Sequence, residues 1–182
     1  MRVNRTEEAP QLTLPVSERD HAQGPAQAPL TLVEYGDYQC PGCGAVFPVV
    51  KHLQATLGDK LRFVFRNFPL TQAHPFALIA AEATETAGLL RKFWPMHDVI
   101  YQNQADLSPK ALAAWAHGLG LDDDRLQKSI ERPEIGKRIK EDRSSGIRSG
   151  VNGTPTFFIN GARYKGAPDY ESLLATLEDR LA

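Results

Sequence analysis

The sequence contains two cysteines, Cys40 and Cys43, which enclose Pro41 and Gly42 in a Cys-x-x-Cys motif. The motif follows an apolar run at residues 30–35 and begins a helical pattern, which predicts a helix N-terminus at the first cysteine. Unpaired backbone N–H groups and the helix dipole stabilise an anion there, which should lower the pKa of the Cys40 thiol. The second cysteine lies about one helical turn further on, so the two sulfurs can form a disulfide. The motif is therefore suited to thiol–disulfide exchange.

The composition excludes several other classes of function. The 182 residues are 42% hydrophobic and 24% charged, and the net charge of −1 gives no basis for binding nucleic acid or an anionic membrane. No apolar run approaches the roughly 20 residues of a membrane helix, so we expect no membrane insertion. A zinc ribbon needs a second pair of Cys or His ligands, and the five histidines have no such spacing. We therefore expect no metal and no cofactor.

Residues 1–29 are predicted to form an extended N-terminal arm. They hold four prolines, many polar residues and little periodicity, although alternation at Leu12, Leu14 and Val16 predicts a short edge strand. The opening residues, MRVNRTEEAPQ, lack the apolar segment of a secretory signal peptide. We therefore expect a cytoplasmic protein, or a periplasmic one if a leader has been removed.

The elements that must position the motif form a strand–helix–strand unit. Residues 30–35 are predicted to be a buried strand, and a helix follows from about residue 41 to residue 57. Residues 61–68, LRFVFRNF, are predicted to be a second central strand. Such a unit is parallel and right-handed, so the motif should lie at the carboxyl end of the first strand.

The remaining sequence predicts a helical insertion and a return to the sheet. Residues 74–149 show the pattern of short helices, one beginning at Asp122, that should pack as an inserted helical subdomain. The segment 150–182 then predicts a strand, a tight hairpin and a last helix opened by Pro168. Residues 30–73 and 150–182 would thus form a single α/β domain that the helical block interrupts.

These segments resemble the thioredoxin superfamily, and within it the DsbA-like thiol–disulfide oxidoreductases. The resemblance rests on CPGC after a buried strand, on Glu34 six residues before Cys40, on GTPTFFING at residues 153–161, and on the position of the helical block. It implies a thioredoxin fold with a helical insertion between the second and third core strands. It also implies an enzyme that exchanges disulfides with thiol- or disulfide-containing protein substrates and needs an unidentified redox recycling partner.

The resemblance further implies a role for each site residue. Cys40 would be the nucleophile, and the more buried Cys43 would resolve the mixed disulfide. Glu34 would be a buried acid, with a pKa raised by burial, that shuttles a proton for Cys43. A cis-proline would lie beside the cysteines, and the expected substrate-binding residues are Pro41, Gly42, Thr154 and Pro155. The motif has Pro-Gly where strongly oxidising DsbA has Pro-His, so we expect a reduction potential between those of thioredoxin and DsbA.

Other interpretations of these residues stay open from the sequence alone. Glu34 could instead reach solvent or form a salt bridge, and Pro155 could be an ordinary turn proline. Residues 68–70 could line a substrate surface or pack in the core, and His74 is expected to cap the helical block without taking part in chemistry. The alternative function is a non-catalytic peptide-binding or chaperone-like module, in which Cys40→Ser would spare binding.

Overall fold

The computed structural model describes residues 10–121 and 132–181, which include a five-stranded sheet. The strands are β1 (His21–Gln23), β2 (Leu30–Gly36), β3 (Leu61–Asn67), β4 (Thr156–Ile159) and β5 (Ala162–Arg163). They lie in the order β1-β3-β2-β4-β5. The central pair, β2 and β3, is parallel, and the other neighbours are antiparallel. The predicted strand–helix–strand unit is thus present at the centre of the sheet.

The described residues include six α-helices. They are α1 (Pro41–Leu57), α2 (Ala77–Gly88), α3 (Phe93–Gln102), α4 (Pro109–Gly118), α5 (Pro133–Arg148) and α6 (Tyr170–Asp179). Four of them, α2 to α5, lie between β3 and β4 in the chain. The predicted α/β fold with a helical insertion between the second and third core strands is therefore confirmed.

The two faces of β2 contribute to different apolar clusters. Leu30 and Leu32 join the larger cluster, which includes α1 and the inserted helices. Val33 and Tyr35 face the opposite side and join a smaller cluster. Because side chains alternate along a strand, Glu34 lies in step with Leu30 and Leu32 and faces the side of α1. The strand therefore directs this carboxyl group beneath the Cys-x-x-Cys motif.

The N-terminal arm crosses the sheet and does not form the predicted edge strand. Leu12 and Val16 pack against the smaller apolar cluster, so their alternation reflects contact with a face of the sheet. Backbone pairing occurs instead at an isolated bridge between Gln11 and Ala162, and again where β1 lies along β3. The predicted strand at Leu12, Leu14 and Val16 is therefore wrong, and β1 was not predicted.

A buried salt bridge fastens the end of this arm to the central strands. The Arg66 side chain in β3 and the Asp20 side chain are both 0% exposed. Arg66 Nε donates to Asp20 Oδ1 at 2.9 Å, and Arg66 Nη2 donates to Asp20 Oδ2 at 3.1 Å. Arg66 Nη1 donates to the Leu14 carbonyl oxygen at 2.8 Å. Because a buried charge is stable only when it is paired, this part of the arm belongs to the folded core.

The predicted start of the last helix differs from the observed start, and a second predicted start falls outside the described residues. The last helix begins at Tyr170, and its N-cap is Asp169, whose Oδ1 accepts from Ser172 N at 2.8 Å. Pro168 therefore precedes the cap and is not the first helical residue, because the aspartate side chain supplies the stronger start signal. The helix predicted from Asp122 lies outside the described residues.

Candidate active site

Cys40 and Cys43 lie where β2 ends and α1 begins. Cys40 is the N-cap of α1, with φ −69° and ψ 122°, and Pro41 occupies the first turn, where a missing backbone N–H has no consequence. Cys40 keeps 8% of its surface exposed, whereas Cys43 is fully buried. Pro41 and Gly42 are exposed between the two cysteines, which are both free thiols. A substrate can therefore reach the sulfur of Cys40 before that of Cys43.

The Cys40 thiol is strongly acidified by its surroundings, and its pKa is lowered from 9.0 to about 5. The largest cause is a hydrogen bond from the Cys43 thiol to the Cys40 sulfur. Burial acts in the opposite direction, while Thr154 and the backbone N–H groups of Gly42 and Cys43 add to the lowering. At neutral pH Cys40 is therefore a thiolate, which is the form that attacks disulfides.

Cys43 and Glu34 are shifted in the opposite direction. Burial is the main cause that raises the pKa of Cys43, and the negative charge of Glu34 adds to it. Burial also raises the pKa of Glu34 from 4.5 to about 8, with a smaller contribution from the charge of Cys40. Glu34 is 3% exposed, and no described group forms a hydrogen bond with its Oε1. The carboxyl group can therefore exchange a proton near neutral pH, close to a thiol that must lose one.

The surroundings of Glu34 on the insertion side are aromatic and buried. His97 and Tyr101 in α3 are buried, with ring centroids 5.0 Å apart, and Phe65, which pairs with Glu34 across the strands, lies 4.8 Å from the His97 ring. Burial lowers the pKa of His97, so this imidazole is neutral. None of these side chains supplies a cation to the carboxyl group, which explains why desolvation dominates its pKa.

The loop before β4 brings Thr154 and Pro155 to the Cys40 sulfur. The Thr154–Pro155 peptide bond is cis. The Cys40 sulfur lies 3.3 Å from the Thr154 carbonyl oxygen, to which the protonated thiol donates. A Cβ atom added to Gly42 would lie 3.1 Å from Pro155 Cδ, so the glycine leaves room for the proline ring. The structure thus places every predicted site residue, from Glu34 to Pro155, around the same end of β2.

Asp37, which the sequence analysis did not single out, organises the turn between β2 and α1. Its buried Oδ1 accepts from Gln39 N at 2.7 Å and from Cys40 N at 3.2 Å. Its Oδ2 accepts from Leu70 N at 2.8 Å and hydrogen-bonds to His74 Nδ1 at 2.8 Å. An aspartate commonly accepts from the backbone N–H two residues further on in such a turn, and this signal could have identified Asp37.

Asp37→Asn is expected to lower the free energy of unfolding by about 2 kcal/mol. The change replaces one acceptor oxygen by an amide that faces N–H donors, so buried hydrogen bonds are lost. Urea denaturation of the wild type and the variant measures the difference. Asp59→Asn, at an exposed residue between α1 and β3, is the matched control. Equal stability of all three proteins would show that Asp37 does not hold the turn.

The segment between β3 and α2 supports the turn through Asp37 and Gln39. Phe68 is buried, with its ring edge-on to Tyr35 at 6.2 Å, and Leu70 packs against the same cluster. Of the two open interpretations of residues 68–70, core packing therefore describes Phe68. His74 contacts Asp37, and its carbonyl oxygen accepts from Ala77 N at 3.2 Å at the start of α2.

Two glutamines complete the turn from either side, and neither was predicted. Gln39 Oε1 accepts from Phe76 N at 2.6 Å. Gln104 Nε2 donates to the carbonyl oxygens of Tyr38 and Cys40, at 2.9 Å in each case. No local pattern marks Gln104, because its contact arises only when the insertion folds back over the motif.

The family model described as Thioredoxin matches residues 16–179. The chain is 43% identical over 172 residues to a curated relative from Salinispora arenicola that is named Na(+)/H(+) antiporter NhaA 1. That match covers 94% of this chain and 26% of the relative. The chain therefore spans about a quarter of the length of the curated relatives it matches. In the described part of the chain, each helix is too short or too polar to cross a membrane.

Several solved structures, one of them named a thiol-disulfide exchange protein, share the fold. Oxidised BdbD from Bacillus subtilis superimposes with a TM-score of 0.80 and 24% identity, covering 96% of this chain and 97% of the other. DsbA2 from Pseudomonas aeruginosa superimposes with a TM-score of 0.71 and 29% identity, covering 93% of this chain and 96% of the other. The thiol-disulfide exchange protein alpha-DsbA2 from Wolbachia pipientis has a TM-score of 0.78 at 24% identity, covering 91% of this chain and 88% of the other.

Proposed function

The chain belongs to the Thioredoxin family and is a DsbA-like protein of the thioredoxin superfamily, and we propose that it exchanges disulfides with protein substrates. The observation that carries this proposal is the asymmetry of the cysteine pair. Cys40 is accessible and acidic, whereas Cys43 is buried and weakly acidic. One thiol is thus ready to attack, and the other reacts only after it has lost its proton.

The exchange proceeds through a mixed disulfide. The Cys40 thiolate attacks one sulfur of a substrate disulfide, and the other substrate sulfur leaves as a thiolate and takes up a proton. Cys43 then gives its proton to Glu34 and attacks the Cys40 sulfur. The second substrate sulfur leaves, so the protein gains a Cys40–Cys43 disulfide and the substrate gains two thiols. The same steps in reverse oxidise a substrate dithiol, so the reduction potential decides the direction.

The loop opposite the motif is the proposed substrate platform. Thr154 and Pro155 lie beside the Cys40 sulfur, and the exposed residues Pro41 and Gly42 follow Cys40, with Gly42 next to the Pro155 ring. An extended peptide can form backbone hydrogen bonds with Thr154 while its own cysteine sulfur approaches the Cys40 sulfur. Affinity would then come from the backbone of the substrate, so peptides of different sequence could bind.

Na(+)/H(+) exchange is not proposed for this chain. The relatives that carry the antiporter name are about four times as long as the segment that matches. The proposed activity instead follows from the cysteine pair and its surroundings. A peptide with one disulfide between a fluorophore and a quencher tests it directly, because reduction by the dithiol protein releases fluorescence. Absence of exchange with the wild type would reject the proposed function.

The reduction potential of the Cys40–Cys43 pair is expected between about −270 mV, as in thioredoxin, and about −120 mV, as in DsbA. The lowered pKa of Cys40 stabilises the dithiol form, which makes the disulfide oxidising. Gly42 adds no side-chain donor or charge to this effect. Equilibration in glutathione buffers, followed by thiol trapping, gives the value. A potential outside this interval would contradict the prediction.

A further inference from the structure

We propose that Gln104, in the inserted helical block, is a positioning residue whose amide holds the active-site turn and keeps Cys40 in place at the N-terminus of α1. This inference rests on the proposed function, because it concerns the reactivity of the same cysteine. It assigns to the insertion a role in the chemistry of the motif.

The contact is made by one amide group with two acceptors. Gln104 opens a short 3₁₀ helix, Gln104–Asp106, just after α3. Its Nε2 donates to the Tyr38 carbonyl oxygen at 2.9 Å and to the Cys40 carbonyl oxygen at 2.9 Å. The Cys40 oxygen also accepts the first helical hydrogen bond, from Gly44 N at 3.1 Å. The glutamine therefore binds the turn at the residue that carries the nucleophile.

Gly44 makes room for this side chain. A Cβ atom added there would lie 2.1 Å from Gln104 Oε1 and 2.8 Å from its Cδ. These separations are far below van der Waals contact, so a larger residue at position 44 and the observed glutamine conformation exclude each other. A glycine within a helix lowers helix stability and is expected where another group approaches closely. The absence of a side chain at Gly44 thus fits the approach of Gln104.

The insertion also contacts the turn at two residues that precede Cys40. Gln39 Oε1 accepts from Phe76 N, and Asp37 binds His74, so both hold residues before the nucleophile. Gln104 instead neutralises the partial negative charges of two carbonyl oxygens next to the thiolate. Without these hydrogen bonds, each oxygen would lose a donor near a negative charge, and the turn could move the sulfur away from the helix N-terminus.

Two variants remove the contact in different ways. Gln104→Glu replaces the two N–H donors by carboxylate oxygens, which repel both carbonyl groups. Gly44→Ala leaves Gln104 unchanged but forces its flexible end away, and alanine favours the helix. In both variants we expect the midpoint of Cys40 ionisation to lie at a higher pH, at a proton concentration about tenfold lower than in the wild type. Gln102→Ala, at an exposed residue of α3, is the matched control.

The experiment follows the ultraviolet absorbance of the thiolate against pH in the reduced full chain. The proposal predicts that Gln104→Glu and Gly44→Ala raise the titration midpoint, and that Gln102→Ala does not. The added charge of Gln104→Glu also repels the thiolate directly, so Gly44→Ala is the decisive variant. A merely structural role would lower the thermal stability of Gly44→Ala and leave its midpoint unchanged, which would overturn the proposal. If Gln104→Glu does not fold, Gly44→Ala decides by the same criterion.

Failure of this inference can be told apart from failure of the proposed function. If the wild type does not exchange the fluorescent peptide disulfide, the proposed function is rejected, whatever the variants show. If the wild type does exchange it while the Cys40 titration is the same in wild type and in Gly44→Ala, only the role of Gln104 is rejected.

Discussion

Cys40→Ser is expected to abolish disulfide exchange and leave less than about a thousandth of the wild-type rate. A serine hydroxyl is not ionised at neutral pH and cannot form a mixed disulfide, so neither step of the exchange can begin. Cys43→Ser has a different expected result. The Cys40 thiolate still attacks, but no buried thiol can resolve the product, so substrate accumulates as a covalent mixed disulfide.

The fluorescent peptide assay measures the first effect, and mass spectrometry of non-reduced samples measures the second. Ala45→Ser is the matched control, because it places a serine at an exposed position of the same helix. Exchange at the wild-type rate by Cys40→Ser would show that Cys40 is not the nucleophile. Peptide binding without exchange in the wild type would instead support the non-catalytic peptide-binding module.

The elements of the fold could be predicted because their signals are local. Apolar residues at helical spacing define α1, and its predicted bounds, residues 41–57, are those in the structure. The parallel pair of β2 and β3 follows from two apolar strands joined by one helix. The burial of Glu34 could be inferred from the family resemblance, in which a buried acid lies six residues before the first cysteine. The physical reason is that side chains alternate between the two faces of β2, so Glu34 lies on the same face as Leu30 and Leu32.

The contacts that hold the active-site turn could not be predicted in this way. Gln104 acts from the insertion, and nothing in its neighbours along the chain indicates that its amide faces Cys40. The arm shows the same limit, because Leu12 and Val16 alternate as in a strand but contact a face of the sheet. Its anchoring residue Asp20 pairs with Arg66 only after β3 has formed. Such contacts depend on tertiary structure, which sequence periodicity does not encode.

The site combines an acidic thiol near the surface with a thiol and a carboxyl group that are buried. Cys40 lies where backbone N–H groups stabilise an anion, whereas Cys43 and Glu34 lie where burial opposes charge. This contrast gives the two thiols their different roles. It also means that the fold carries a carboxyl group whose burial lowers stability at every pH at which the unfolded chain ionises it. The same group should therefore affect catalysis and stability in opposite directions.

Glu34→Gln is expected to stabilise the protein by about 3 kcal/mol at pH 7. The pKa of Glu34 rises from 4.5 to about 8 on folding, so the unfolded chain releases this proton first as pH increases. The contribution of Glu34 to stability is therefore lost as pH rises from about 4.5 to about 8, and it changes little above that range. The glutamine does not ionise, so the gain should disappear as the pH falls toward 4.5. Urea denaturation at several pH values measures it.

The same variant is expected to slow the attack of Cys43 on the mixed disulfide by about tenfold, because Glu34 no longer accepts its proton. In the wild type this rate should rise with pH up to about 8, where Glu34 loses its proton. Stopped-flow measurement of substrate release gives the rate. Glu178→Gln, at an exposed residue of α6, should change neither property. A Glu34→Gln variant that is less stable than wild type at pH 7 would show that the carboxylate is charged and paired in the folded protein. An unchanged resolution rate would show that Cys43 gives its proton to another group.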